Sequence, residues 1–212
     1  MGTPAQAHGH TSPHSLPPPL RNNYWLLRHG RSLANEAEVI VSLLENGIQH
    51  KWSLSPTGLL QAQAAGHLLL QQLSEQHTLD CSDGSDGGGS GRHVHNRITV
   101  QGMRGLAGAF LRGSDLELQP YAAAYGHIWE HDELSAESHP GGGDGESVKD
   151  VAARIQLMFQ RLEDEHQQGG LNILLVSHGD TLSILQATMT GCGAQLGHHR
   201  RFAFETAELR RL

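Results

Sequence analysis

Only two cysteines, Cys81 and Cys192, occur in 212 residues. That is too few for a disulfide framework or a four-thiolate zinc site, and it suits a reducing compartment, so a cytoplasmic location is expected. Positive charge is also short. Fifteen Lys and Arg stand against 22 Asp and Glu, for a net charge of −7, which offers a nucleic-acid backbone no favourable mean field. Aromatic residues make up 5% of the chain, and its apolar runs, among them Leu68 to Leu70 and Ile173 to Val176, are short. A membrane span needs about 20 apolar residues, so a soluble protein without a membrane partner is expected. The first 20 residues hold five of the eight prolines and three histidines but no apolar core segment, which excludes a secretory signal. With no arginine before Arg21, support for an organelle address is weak. Residues 1–20 read as a disordered Pro/His-rich leader to a single domain over 21–212.

What is plentiful is glycine, with 26 residues, and histidine, with 16. The apolar residues, 37% of the chain, must therefore form a core from a few dense segments. Tyr24-Trp25-Leu26-Leu27 reads as a buried strand that ends in the polar tip Arg28-His29-Gly30. A helical segment is expected from about Ser32. Ser55-Pro56 supplies an N-cap and first-turn proline for a helix over 57–73, with Leu59, Ala62, Gly66, Leu69 and Leu73 on its inner face. From Asp80 to Gly91 the composition is that of a Gly/Ser linker, and a flexible loop is predicted over 80–97. Ile98 to Gln101 reads as a short strand, Leu116-Glu117-Leu118 is ambiguous, and Gly141 to Gly145 forms a second flexible connection. Val148, Val151, Ala152, Ile155, Met158, Phe159 and Leu162 mark the inner stripe of a helix, with Lys149, Arg154, Arg161 and Glu163 off it. Gly169-Gly170 stops that helix. Leu171 to Ser177 then reads as a central parallel strand ending in His178-Gly179-Asp180, where Asp180 can cap the next helix. Arg201 to Thr206 alternates polar and apolar residues, as an edge strand does. The alternation predicts an α/β fold, a three-layer sandwich with a mostly parallel sheet flanked by helices.

Composition alone predicts about two His-Gly pairs, and three occur, so the dipeptide itself carries no signal. Position does. His29-Gly30 and His178-Gly179 each follow an apolar strand and precede a helix. Open α/β sheets bind ligands at the carboxyl ends of their strands, where helix N-termini favour anions. Arg28 and the two imidazoles there suit a phosphate dianion, and a neutral imidazole can attack phosphorus. The alternative is a pair of ordinary loop histidines. His93-x-His95 and His198-His199 lack carboxylate or thiolate ligands at fixed spacing and read as solvated loop histidines, not a metal site. Cys192 lacks a flanking base.

Arg28-His29-Gly30-Arg31-Ser32-Leu33-Ala34-Asn35 resembles the Arg-His-Gly-x-Ser-x-x-Asn signature of the histidine phosphatase superfamily, the phosphoglycerate mutase-like proteins. Val176 to Asp180 resembles its second histidine motif. Ser53 to Ala62 and Gly145-Glu146-Ser147 resemble two segments between them. The resemblance implies that His29 is the nucleophile, that Arg28 and His178 bind the transferred phosphoryl group, and that Asn35 helps to hold it. Arg31, Gly179 and Arg104 join as substrate-binding candidates. No metal or other cofactor is implied, and the partner is a small phosphorylated metabolite. The family's second arginine motif is not found; Arg92, Arg97 and Arg104 are candidates for it. Gly105 stands where the proton-donating Glu belongs, with Asp115, Glu117, Glu130 and Asp180 as replacements to weigh. The implied activity is phosphomonoester hydrolysis through a phosphohistidine. The alternatives are phosphoglycerate mutase-type transfer and a catalytically impaired phosphate-ligand binding module.

Overall fold

The computed structural model describes residues 19–41, 43–82, 98–102, 117–139, 145–191 and 193–212. In chain order the elements are β1 (Asn23–Arg28), α1 (Leu33–Glu36), α2 (Leu44–Gly47), a 3-10 turn (His50–Trp52), α3 (Pro56–Ser82), β2 (Ile98–Gly102), α4 (Tyr121–Leu134), α5 (Val148–Glu165), β3 (Asn172–Ser177), α6 (Gly179–Met189), kinked 3-10 turns (Gly193–Phe202) and β4 (Leu209–Arg211). The strands form one sheet in the order β2-β3-β1-β4. The first three are parallel, and β4 runs antiparallel to β1.

Side chains alternate across a strand, so each central strand feeds two cores. Tyr24, Leu26, Ile173 and Leu175 pack with the α5 stripe and with Leu182 and Leu185 of α6. On the opposite face Trp25 and Leu174 pack against Leu69 and Leu73 of α3. The result is the three-layer α/β sandwich with a mostly parallel sheet. Leu26, Ile155, Ile173, Leu175, Leu182 and Leu185 are fully buried, each contributing about 1.5–3 kcal/mol. Gly169 and Gly170 both have left-handed backbones, at φ 71° and 76°, and turn the chain from α5 into β3 at a conformation that glycine adopts without strain.

Several details differ from the sequence expectations. On α3 the buried positions are Gly58, Ala65, Leu69 and Leu73, while Gly66 is exposed and Leu59 is 60% exposed. The stripe is out of phase at its start because Gly58 is pressed against the Arg31 backbone, where a Cβ would collide with the Arg31 carbonyl. The helix also runs through Ser82, past its expected end at Leu73 and into the loop expected from Asp80, since the first glycine after Leu73 is Gly84; the rest of the expected loop lies outside the described residues, as do residues 141–144 of the second connection. Leu118 sits in a turn at φ 59°. Leu20, placed at the end of the leader, packs against the core.

Glu163, read as a position off the stripe, is buried beside it. Its carboxylate accepts hydrogen bonds from the Arg21 backbone and side chain, the Asn22 amide and the Tyr24 hydroxyl. Burial pushes its pKa up, but these donors outweigh that effect and hold it below the usual carboxylate range. The His178 backbone, not Asp180, is the N-cap of α6. Arg201 to Thr206 forms no strand: the Phe202 and Phe204 carbonyls accept from Arg210 and Arg28, leaving β4 to close the sheet edge. Among the described residues no helix is long and apolar enough to cross a membrane.

Candidate active site

The β1–β3 register pairs Arg28 with Ser177, so the two strands end level and the next residues, His29 and His178, emerge side by side. The His29 amide donates to the Ser177 carbonyl at 3.0 Å, and the two imidazoles meet edge-on with centroids 4.8 Å apart. Both line a cavity of about 190 Å³ with Arg28, Asn35, Ile40, Val41, Tyr121, Tyr125, Trp129, Gly179, Asp180, Thr181 and Arg200.

The tautomer of His29 follows from its neighbour. Nδ1 lies 2.7 Å from the Gly30 carbonyl, which can only accept, so Nδ1 carries the proton and Nε2 of the neutral ring keeps its lone pair. Burial, followed by the nearby Arg28 charge, lowers the His29 pKa from its ordinary 6.5, and the Gly30 hydrogen bond only partly opposes this. Gly30 is fixed in turn by a close backbone approach to Gly58 at the start of α3, where a Cβ would strike the Gly58 carbonyl.

Arg28 Nη1 donates to the Phe204 carbonyl at 2.6 Å. The guanidinium rests on the first turn of α6: a Cβ on Gly179 would stand 3.4 Å from its Cζ. The first amides of α6 have no acceptor within the helix and, with the helix dipole, favour an anion there. Asn35 closes a capping box with Ser32, its Oδ1 accepting from the Ser32 amide and hydroxyl, so its NH₂ is the donor it can offer the cavity.

Arg28, His29, Asn35, His178 and Gly179 therefore meet in one cavity. Arg31 does not line it; its side chain lies out toward Glu36, 4.0 Å away. Arg92, Arg97, Arg104, Gly105 and Asp115 lie outside the described residues. Of the carboxylates weighed as proton donors, Glu117 is bound to the Leu43 amide and the Asn46 side chain, Glu130 is largely exposed, and Asp180 lines the cavity.

The part of the lining that α4 supplies was not legible in the motifs. Tyr121, Tyr125 and Trp129 recur every fourth residue along α4, with Tyr121 stacked on Tyr125 at 4.7 Å and Tyr125 tilted against Trp129 at 5.1 Å. Their i, i+4, i+8 spacing was the available signal. The Arg200 guanidinium lies 3.9 Å from the centre of the Trp129 ring and 3.5 Å from Asp180 Oδ1, while Trp129 Nε1 donates to Asp180 Oδ2 at 3.4 Å. His199, expected to be a solvated loop residue, is fully buried. It joins Ser183 Oγ, 2.8 Å from its Nδ1, to Asp132 Oδ2, 3.3 Å from its Nε2. Among the described residues no three His, Cys, Asp or Glu side chains are grouped to hold a metal ion.

Residues 113–212 match the model of the histidine phosphatase superfamily, branch 1. Three solved structures share the architecture over most of the chain. A mycobacterial glucosyl-3-phosphoglycerate phosphatase in complex with VO3 is similar at a TM-score of 0.60 and 19% identity, covering 90% of each chain. A phosphoserine phosphatase from Entamoeba histolytica in complex with 3-phosphoglyceric acid is similar at 0.59 and 14% identity, covering 90% of this chain and 89% of that one. A putative α-ribazole-5′-P phosphatase from Escherichia coli is similar at 0.52 and 18%, with the same coverage. No curated protein matches the sequence. The chain thus shares the α/β fold of these solved structures, and its residues 113–212 are similar to the histidine phosphatase superfamily.

Proposed function

We propose that this chain hydrolyses small phosphomonoesters through a phosphohistidine on His29. The observation that carries this reading is the His29 Nδ1–H bond to Gly30, which leaves Nε2 as the free nucleophilic nitrogen in a cavity shared with Arg28, His178 and the α6 N-terminus. Nε2 attacks phosphorus, the P–N bond forms, and the bond to the ester oxygen breaks. Water then attacks the phosphohistidine and releases inorganic phosphate. Phosphoryl transfer asks mainly for positioning and for stabilisation of charge on the transferred oxygens. Arg28, His178 and the first amides of α6 supply both, with Asn35 and Gly179 shaping the cradle. A cavity of about 190 Å³ suits a small metabolite.

Rapid quench during turnover is expected to trap acid-labile, alkali-stable phosphate on His29; label on a serine or cysteine overturns the assignment. Because the neutral ring is the nucleophile and its pKa is lowered from 6.5, the acidic limb of kcat/KM that reports His29 should fall below pH 6.5. Activity is retained above that limb and lost as the pH drops through it and Nε2 takes up a proton. An acidic limb above 6.5 counts against His29 as the group that must be neutral.

A further inference from the structure

One part of the cavity lining is a polar surface whose charges cancel. Arg200 is paired with Asp180, and Trp129 both stacks on the first and donates to the second. Tyr121 lines the same cavity together with Asn35, Tyr125, Arg28 and Asp180. The pair adds no net charge, yet it sets a guanidinium donor beside a carboxylate acceptor. A hydroxyl both donates and accepts, so it matches such a pair. A second carboxylate or phosphate on the ligand does not, because it must approach the Asp180 charge to reach Arg200.

The wall is also rigidly built. Asp132 of α4, Ser183 of α6 and His199 of the 3-10 turns form a hydrogen-bonded chain, with Asp132 and His199 fully buried. Ser183 also donates to the Asp180 carbonyl. Gly197 lets the 3-10 turns lie directly on the Asp132 backbone, where a Cβ would not fit. Trp129, Asp180 and Arg200 come from the three elements that this network joins, so their mutual placement is set before any ligand arrives.

We infer that Arg200, Asp180 and Trp129 form a leaving-group subsite for a polyhydroxylated alcohol carrying no second anionic group, making sugar or polyol monophosphates the favoured substrate class. This rests on the phosphatase reading above and deepens it.

The test uses the full chain carrying His29→Ala, so that binding is read without turnover, and titrates inorganic phosphate, a hexose 6-phosphate and 3-phosphoglycerate by calorimetry. The hexose phosphate is expected to bind at least tenfold more tightly than either of the others, and a further Arg200→Gln or Trp129→Phe substitution to reduce that preference at least fivefold. Trp129→Phe keeps an aromatic ring under Arg200 and removes only the Nε1 donor, so it serves where Arg200→Gln fails to fold. Tighter binding of 3-phosphoglycerate, or a hexose preference that survives both substitutions, overturns the subsite. Binding of inorganic phosphate with no hexose preference rejects the subsite and leaves the phosphate cradle standing. Absence of binding by all three rejects the subsite and the phosphatase reading together.

Discussion

His29→Ala is expected to lower phosphomonoester turnover on the order of 10⁴-fold or more while leaving the fold intact. The size follows from the role: without Nε2 no P–N bond can form, and what remains is whatever stabilisation Arg28, His178 and the α6 amides lend to direct attack by water. The tolerance follows from the surroundings. Among the described residues the His29 side chain bonds only to the carbonyl of its own neighbour and touches the edge of His178, while the backbone bond that ties this tip to β3 is made by its amide and survives the substitution. Unchanged far-ultraviolet circular dichroism and thermal midpoint, with lost turnover of an aryl phosphate, is the expected pair of measurements. Hydrolysis at the wild-type rate removes His29 from the mechanism.

The second large effect concerns the leaving oxygen. A general acid typically contributes about 10²- to 10⁴-fold by protonating it, and matters most when the leaving alcohol is a poor one. Among the described residues Asp180 is the carboxylate that lines the cavity, and both of its oxygens are engaged as hydrogen-bond acceptors, one from Arg200 and one from Trp129. Cleavage of an activated aryl phosphate is therefore expected to exceed that of an alkyl phosphate by about 10²-fold or more in kcat. Asp180→Asn should leave that ratio nearly unchanged, because Asp180 supplies no proton. Equal turnover of the two ester types shows that an acid operates, and a collapse of alkyl ester cleavage alone in Asp180→Asn identifies Asp180 as that acid.

What could be read in advance divides along a physical line. The α5 stripe and both central strands were legible because burial imposes a period on apolar residues, and Val148 to Leu162 follow it with no interruption. The grouping of Arg28, His29, Asn35, His178 and Gly179 was legible because two strand tips of the same kind imply one sheet edge. The lining from α4 was not. The α4 helix buries only Ile128 and Asp132, so its hydrophobic pattern is faint, and its aromatic stripe faces a cavity rather than a core. The failed edge strand over 201–206 shows a different limit. Alternation records which side chains are buried, as Phe204 is, but not which partners take the carbonyls, and here arginine side chains take them. Glu163 and His199 were misread for the same reason: a polar residue is placed inside by its hydrogen-bond partners, and those are distant in the chain.

The pairing of β1 with β3 also bears on how the protein comes into being. Each half of the histidine pair sits at the tip of its own strand, and more than two thirds of the chain separates the two tips. A growing chain on the ribosome can display the Arg28-His29 tip early, but it has no phosphate cradle until β3 and the start of α6 have been synthesised and docked. Contacts spanning such long stretches of chain make for slow assembly. Reactivity toward phosphate esters should therefore emerge in one late step during biosynthesis, with shorter nascent forms chemically silent.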